Sequence, residues 1–447
     1  MSESASQRGL VGARKSSPAS YSSHIRKNKN TSRSLLRLLG PGIITGASDD
    51  DPSGIATYSQ AGAQFGFGVL WMALFSYPLM CAVQEICARI GRVTGRGLTA
   101  NLRKVYPSAL VMVVVGMLLI SSIFNLGADL AAMADAAHML VGGPNWIHIL
   151  WLGVGTLLLQ VFVRYTRYVN YLKWLSLSIL AYVVTGFLVQ VPWPAVLQGT
   201  LMPPLHGLTR NYLMMAVAVL GTTISPYLFF WQASEEAEEV KDRKEAKALL
   251  RAPEQAKNQF SRIKLDTYSG MAASNMVAFF IMLTSAVTLH AHGSAEIQTA
   301  AEAAKALRPL AGEYAYILFS LGIIGTGLLA VPVLAGSTAY AVGEVMHWRV
   351  GLQAKPTKAP KFYLALVATM VIGLLLNLAH INPIKALFLA AVVNGVLAAP
   401  VMVMTMLLAQ NPRVMKEFTL PRHLRFGGWI GTALMCAAAV GFLIQSL

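Results

Sequence analysis

Three consecutive carboxylates, Asp49, Asp50 and Asp51, lie in an apolar stretch of span length and are followed directly by Pro52-Ser53-Gly54. Acidic side chains are costly inside a membrane, and those found there usually have a function. A Pro/Gly interruption at that depth is tolerated only where the backbone is buried in protein or lines a water-filled cavity. Together these residues predict a cation site on an unwound helix, an arrangement typical of secondary transporters.

A second interruption is predicted in the sixth apolar stretch, where the run Gly221–Ser225 (GTTIS) ends at Pro226. Proline removes a backbone donor and clashes with the preceding turn, so the helix should break there. Breaks at corresponding positions of the first and sixth spans indicate two five-helix repeats of inverted topology. The substrate would then bind near the bilayer midplane, where the two breaks face each other.

The candidate metal ligands are Asp51, Asp50, Thr222 and Ser225. Asp51 has an alternative role as the cap of the following half-helix, because carboxylates are favourable at helix N-termini. Thr222 and Ser225 have the alternative of hydrogen-bonding back to their own helix, as hydroxyls in spans often do. Successive helical side chains point about 100° apart, so Asp49, Asp50 and Asp51 cannot all face one site.

Two further residues are candidates for a proton or ion relay. Asp129 is a carboxylate within the third span, where such groups are functional by default. Tyr227 follows the second break directly, although a packed aromatic is the plainer interpretation of it. We assign the helix breaks to Pro52, Gly54 and Pro226, with Gly54 acting only through its backbone.

Composition sets the class of protein. The 447 residues are 55% hydrophobic and 13% charged, with a mean hydropathy of +0.54. These values are typical of a polytopic, all-α membrane protein. About eleven spans are predicted, near 39–59, 69–89, 108–136, 147–163, 171–190, 211–233, 268–289, 313–343, 362–379, 384–409 and 427–446.

The distribution of charge predicts the topology. The net charge of +16 comes mainly from Lys and Arg on alternate loops, which is the positive-inside pattern and requires no nucleic-acid partner. We therefore expect an inner (plasma) membrane protein with its N-terminus in the cytoplasm and its C-terminus outside. The predicted units are a disordered basic tail at 1–38, a first five-helix repeat at 39–190 and a second at 211–409. The second repeat includes a cytoplasmic loop at 234–267, and a last helix follows at 427–446.

Several polar residues have plain structural interpretations. The acidic cluster at the start of 234–267 is expected to be solvated, with metal sensing as the sharper alternative. Glu85 and Arg89 have the spacing of a helical ion pair, and asparagines within spans are expected to bond between helices. These asparagines are Asn275, Asn377 and Asn394. We expect His290 and His292 to lie in a solvated loop, and Cys81, Cys87 and Cys436 to pack against apolar side chains within the spans.

Four stretches together resemble the NRAMP (natural resistance-associated macrophage protein) family of divalent-metal transporters, over residues 38 to about 446. The first is GPGIITGASDDDPSGIATYSQAGAQFGF, which is similar to the family's DPGN break and the run after it. The others are QEICARIGRVTGRGL, GTTISPY and NPIKALFLAAVV, similar to QxxxAKLGxxTGxxL, GATVMPH and NPLQALVLSQVV. The resemblance implies a LeuT-like fold with alternating access, and commonly proton-coupled metal entry.

The resemblance also implies a ligand set, from which this chain departs. Asp51 keeps the family's metal-binding Asp, and Asp129 keeps its third-span Asp. The other motif positions have changed: Asn to Gly54, Ala to Thr222, Met to Ser225, His to Tyr227, Gln to Ala391 and Glu to Ala132.

Those departures favour a hard ion and put proton coupling in doubt. Thioether sulfur favours transition metals, whereas carboxylates, hydroxyls and water suit Mg²⁺, Ca²⁺ and Mn²⁺. The chain thus looks closest to the NRAMP-related magnesium transporters, and we expect uptake of Mg²⁺, Mn²⁺ or both. The alternatives are an amino-acid-type symporter on the same fold and a non-transporting metal sensor. We expect no enzyme activity and no cofactor, since the sequence shows no nucleophile–base pair, phosphate loop or zinc-ligand set.

Overall fold

The computed structural model describes residues 45–46, 48–163, 177–204, 209–242, 245–293, 297, 299–379 and 382–446, all within the compact unit Leu39–Leu447. Within them the regular structure is helical, as predicted. The α-helices are α1 Pro52–Phe65, α2 Leu70–Thr94, α3 Leu98–Leu102, α4 Ser108–Val141, α5 Asn145–Phe162, α6 Leu180–Leu188, α7 Trp193–Leu201, α8 Arg210–Thr223, α9 Pro226–Asp242, α10 Ala256–Thr288, α11 Ala300–Ala304, α12 Arg308–Ala311, α13 Ala315–Val345, α14 Pro360–Leu376, α15 Pro383–Ala409, α16 Pro412–Met415 and α17 Arg422–Ser446.

Eight helical segments among the described residues are long and apolar enough to cross a membrane. One of them, Pro52–Thr94, contains both α1 and α2 and so covers two predicted spans. α14 is a shorter apolar helix at the ninth predicted span. Every predicted span overlaps a described helix, although the fifth is described only from residue 177. The predicted tail, 1–38, lies outside the described residues.

Both predicted breaks are present. Ahead of the first break the chain is helical at Ser48 and Asp49, bends at Asp50, and is extended at Asp51 before α1 begins at Pro52. In the sixth span α8 ends at Thr223, and α9 begins at Pro226. Pro52 and Pro226 are thus first helical residues, a position at which the missing N–H of proline costs nothing.

The polar insertion predicted at 234–267 is partly helical. α9 continues to Asp242, a 3-10 helix spans Pro253–Gln255, and α10 starts at Ala256. The expectation that its acidic cluster is solvated was wrong for Glu236 and Glu238, which are buried. Glu236 is bonded by Arg262, whereas Glu238 accepts the backbone N–H groups of 352 and 353. Polar partners from distant segments make this burial tolerable.

Close helix packing fixes the position of each break. α8 lies against α15, where the backbone of Ala391 and Gly395 occupies the space that a side chain at Gly221 would need. The segment ahead of the first break lies against α10, with Gly46 on the backbone of Gly270. Because these glycines have no Cβ, the backbones approach closely on both sides of the site.

Polar contacts between spans hold this arrangement together. Asn275 donates to the carbonyl of 73 at 2.8 Å, Asn377 donates to the carbonyl of 127 at 3.2 Å, and Asn394 accepts from Ser121 at 2.5 Å. These bonds confirm the predicted role of the three asparagines. The predicted ion pair between Glu85 and Arg89 is also present, at 2.8 Å.

Candidate metal centre

Asp51 is the point at which three spans meet. Its side chain is 2% exposed and accepts four hydrogen bonds. Oδ1 accepts from Ser53 Oγ at 2.5 Å and from the backbone N–H of Gly54 at 2.7 Å, which caps α1. Oδ2 accepts from Asn125 Nδ2 of α4 at 3.1 Å and from the Tyr227 hydroxyl of α9 at 3.3 Å. Asp51 is therefore a helix cap and also the link between the two breaks.

Gly54 acts through its backbone, as predicted. Its N–H donates to Asp51, and a Cβ built at this position would lie 3.3 Å from both the Asp49 carbonyl and the Tyr58 ring. Both contacts are tighter than ordinary packing allows. The absence of a side chain at Gly54 therefore lets the turn close around the carboxylates.

Thr222 and Ser225 lie in the sixth-span break and are 2% exposed. The hydroxyl of Ser225 donates to the carbonyls of Thr222 at 2.7 Å and Gly221 at 2.9 Å. The hydroxyl of Thr222 donates to the carbonyls of Val219 at 3.0 Å and Ala218 at 3.2 Å. The protons of both hydroxyls thus satisfy their own helix, as in the alternative interpretation, while the oxygen lone pairs remain free to meet a cation.

Asp49 and Asp50 do not point at the donors around Asp51. They lie against α10, where the Ser274 hydroxyl is 3.0 Å from Asp49 Oδ2 and 3.1 Å from Asp50 Oδ1. This agrees with the expectation that the three carboxylates cannot share one direction. Asp51 thus contacts α4 and α9, whereas Asp49 and Asp50 form a pair that contacts α10.

Asp129 of α4 is fully buried beside the break. Neither of its oxygens has a hydrogen-bond partner within the part of the chain that the structure describes. It lies close to Asp51 and to the backbone of Ser53. Asn125 is one helical turn earlier on the same face, so α4 presents an amide and a carboxylate to the break.

The centre contains oxygen donors, and no basic side chain of the described residues pairs with its carboxylates. Among the described residues, Asp49, Asp50, Asp51 and Asp129 form no ion pair with a basic side chain. No group of three or more His, Cys, Asp or Glu side chains that could hold a metal is found in those residues. An ion here would therefore be held by one or two carboxylates, hydroxyls, carbonyls and water, a set that suits hard cations.

The two histidines of the predicted outside loop contact the backbone through Nδ1. His290 Nδ1 lies 2.8 Å from the carbonyl of Ala63, and His292 Nδ1 lies 2.7 Å from the carbonyl of Thr288. Each imidazole is thus engaged with a different backbone carbonyl.

A model of the natural resistance-associated macrophage protein-like (Nramp) family matches residues 42–445. The chain belongs to the Nramp family. Two Nramp relatives are named divalent metal cation transporter MntH. The protein from Erwinia tasmaniensis is 25% identical, with 96% of this chain and 99% of its own length covered. That from Acidiphilium cryptum is 28% identical, with 90% and 89% covered.

Solved structures confirm the fold of this Nramp chain. The Eremococcus coleocola manganese transporter matches with a TM-score of 0.72 at 15% identity, covering 94% of this chain and 89% of that one. Mhp1, a nucleobase-cation-symport-1 family transporter, matches with a TM-score of 0.54 at 14% identity, covering 90% and 92%. The predicted LeuT-like architecture is thereby confirmed.

Sequence reasoning missed several polar residues of this Nramp centre. Asn125, Ser53, Tyr58 and Ser274 all lie in or beside it. Asn125 had a detectable signal, because it precedes Asp129 by one helical turn and shares its face. Ser274 had none, since nothing in the sequence relates α10 to Asp49 and Asp50.

Proposed function

We propose that this chain is a divalent-metal transporter that moves Mg²⁺, Mn²⁺ or both by alternating access, as a multi-pass protein of the plasma membrane. The observation that carries the proposal is the position of Asp51. It is a buried carboxylate at the junction of two interrupted spans, in contact with α4 and α9. Family membership and the names of the relatives support divalent metal as the substrate class.

The donor chemistry favours a hard ion. Asp51 and the oxygens of Thr222 and Ser225 are the ligands that we assign to it, and none of them is sulfur; Asp50, also predicted as a ligand from the sequence, lies instead against Ser274 of α10. Mg²⁺ dehydrates reluctantly and is usually held by one or two carboxylates with several waters retained. Ser225 stands where the family resemblance implies a thioether, so the centre lacks the ligand that would select softer metals.

Transport is proposed to be driven by the membrane potential and not coupled to protons. Tyr227 and Ala132 replace the titratable His and Glu that the resemblance implies, which leaves Asp129 as the candidate relay. A potential of 100 mV supplies about 2.3 kcal/mol per charge, and about twice that for a divalent ion. That free energy is enough to concentrate the ion without a proton gradient.

The likeness of fold to Mhp1 gives no support to an organic anion as substrate. A fold of this kind hosts several substrates, so the side chains at the break decide the chemistry. Substrate carboxylates are typically bound at half-helix N-termini. Here the N-terminus of α1 is already occupied by Asp51, and two more carboxylates lie close by.

Ion uptake into proteoliposomes tests the proposal, with Mg²⁺, Mn²⁺, Ca²⁺ and Fe²⁺ compared for the native chain and Asp51→Ala. We expect saturable Mg²⁺ or Mn²⁺ uptake that Asp51→Ala abolishes and that a trapped pH dye does not follow. Asp135→Asn is the matched control, since Asp135 accepts from Asn145 at the far end of α4. Absence of divalent uptake by the native chain would overturn the proposal, and acidification in step with uptake would overturn its uncoupled form.

A further inference from the structure

Asp49 and Asp50 form a carboxylate pair that is distinct from Asp51. Their side chains are 1% and 7% exposed. The Ser274 hydroxyl lies 3.0 Å from an oxygen of the first and 3.1 Å from an oxygen of the second. Those two oxygens are therefore at most about 6 Å apart. One hydroxyl carries one proton, so it can donate to only one of the two carboxylates at a time.

The pair lacks the donors that Asp51 has. Asp49 Oδ1 is buried and accepts no hydrogen bond from any described residue. Asp51, by contrast, accepts four hydrogen bonds. Buried charges in proteins are normally paired or bound to a metal, because leaving one unpaired costs several kcal/mol. The pair is thus short of positive charge.

An independent polar group is buried beside the pair. Tyr58 of α1 is fully buried, and its hydroxyl lies beside the Thr222 side chain, with no other hydrogen-bond partner within the described residues. It lies within electrostatic range of Asp49 and Asp50 and adjacent to Thr222. Its oxygen can meet a cation, or its proton can meet a water bound to that cation.

The backbone at this point also favours a cation. The chain is helical at Ser48 and Asp49 and leaves the helix at Asp50. The last carbonyls of a helix have no intrahelical partner and carry partial negative charge. The N-terminus of α1, with its partial positive charge, is occupied by Asp51 instead. The N-terminus of α1 is thus already occupied by Asp51, whereas Asp49 and Asp50 lie ahead of the break against α10.

We propose that Asp49, Asp50 and Ser274, with the Tyr58 hydroxyl, form a second divalent-cation site, through which a partly hydrated ion passes to or from Asp51. This inference rests on the proposed function, since it concerns the same permeating ion. A gap of up to about 6 Å between carboxylate oxygens suits an ion that keeps some of its waters and bridges the two groups. The ion supplies the positive charge that the side chains lack.

Binding measurements test the second site separately from transport. Mn²⁺ binding to the purified chain is followed by electron paramagnetic resonance and by calorimetry, without any gradient. Asp51→Ala should lose uptake and still bind Mn²⁺ within about tenfold of the native affinity. Adding Asp49→Asn and Asp50→Asn to that variant should abolish the remaining binding, whereas adding Asp135→Asn should not.

A gain of function provides a second readout that does not depend on losing a residue. Ser274→Cys places a thiolate between the two carboxylates, and soft ligands favour soft metals. Cd²⁺ affinity should rise by at least about tenfold. Ser285→Cys, on the same helix and also fully buried, should show no such rise. Thermal unfolding of each variant verifies that it is folded.

The outcomes separate the two proposals. The second site is overturned if Asp51→Ala binds no Mn²⁺, or if its binding survives loss of both Asp49 and Asp50. Native uptake that Asp51→Ala abolishes would leave the transport proposal standing in either case. Mn²⁺ binding that requires Asp49 and Asp50, in a native chain that takes up no divalent ion, would support the site and refute the transport function.

Discussion

Among the regions that bury carboxylates, two treat the negative charge in opposite ways. Where α2, α9 and α10 meet, Arg262 contacts Glu236 at 2.6 Å and Glu239 at 3.1 Å. Arg92 of α2 adds a second guanidinium, 3.9 Å from Glu236 and 3.7 Å from Glu239. Two positive and two negative side chains thus offset each other. We refer to Arg92, Arg262, Glu236 and Glu239 as the charge cluster.

The first-span break has no such compensation. Asp49, Asp50, Asp51 and Asp129 are buried, and none is paired with a basic side chain among the described residues. The sequence contains both regions as acidic runs, but only the structure shows which run already has its counter-charges. Uncompensated burial distinguishes a site that receives a cation from a cluster that holds helices together.

The largest expected effect is in the charge cluster. Arg262→Ala leaves the fully buried Glu236 with only the more distant Arg92, and breaking a buried pair from one side costs about 3 kcal/mol or more. The thermal unfolding temperature in detergent should fall clearly. Arg308→Ala is the control, because the pair of Arg308 with Glu313 is exposed and should contribute little. An equal fall in both variants would contradict the distinction.

At the first-span break, removal of a charged side chain is expected to raise the stability of the fold. In metal-free protein, Asp49→Asn should stabilise the fold by about 1–3 kcal/mol, because it removes a buried charge whose Oδ1 accepts no hydrogen bond from the described residues. Mn²⁺ should raise the unfolding temperature of the native chain, since a ligand that binds only the folded state stabilises it. That rise should be smaller in Asp49→Asn. A lower unfolding temperature for the metal-free variant would show that this carboxylate is structural.

Ser225→Met tests whether residue 225 determines which metal ion is transported. A thioether at the break should shift preference toward softer metals, with the ratio of Cd²⁺ to Mg²⁺ uptake rising by about tenfold. Ser225→Ala is the matched control, because it removes the hydroxyl and adds no sulfur. Competition between the two ions in proteoliposomes measures the ratio. An unchanged ratio in Ser225→Met would mean that this position does not face the ion.

Tyr227→Phe should have the smallest effect. It removes a hydroxyl whose single proton is shared between Asp51 Oδ2 and the Ser48 carbonyl, each 3.3 Å away. Such a loss corresponds to about 0.5–1 kcal/mol, or a few-fold weaker apparent affinity. Uptake at several pH values measures both affinity and pH dependence, with Tyr182→Phe as the control. A large change in pH dependence would instead identify Tyr227 as a proton relay.

The sequence was sufficient for features that local chemistry determines. Both breaks were predictable because a proline stands there beside glycine and small polar residues, and the spans were predictable from apolar length; Pro78, Pro332 and Pro400, by contrast, lie inside continuous helices. The donors to Asp51 were not, because Asn125 is 74 residues away and Tyr227 is 176 residues away. The same reason explains the error over Glu236, whose partner Arg262 follows 26 residues later on another helix. Tertiary pairing decides which polar residues are buried.

The contact between Gly46 and Gly270 has a consequence for conformational populations. Any side chain at position 46 would overlap the backbone of Gly270, so this contact exists only while the two segments lie side by side. Thr45 donates to Gln232 Oε1 at 2.5 Å, which ties the same segment to α9. Gly46→Ala would place a methyl group against the Gly270 backbone and shift the equilibrium toward states in which this segment and α10 are further apart. The absence of a Cβ at Gly46 thus permits the close contact of this segment with α10.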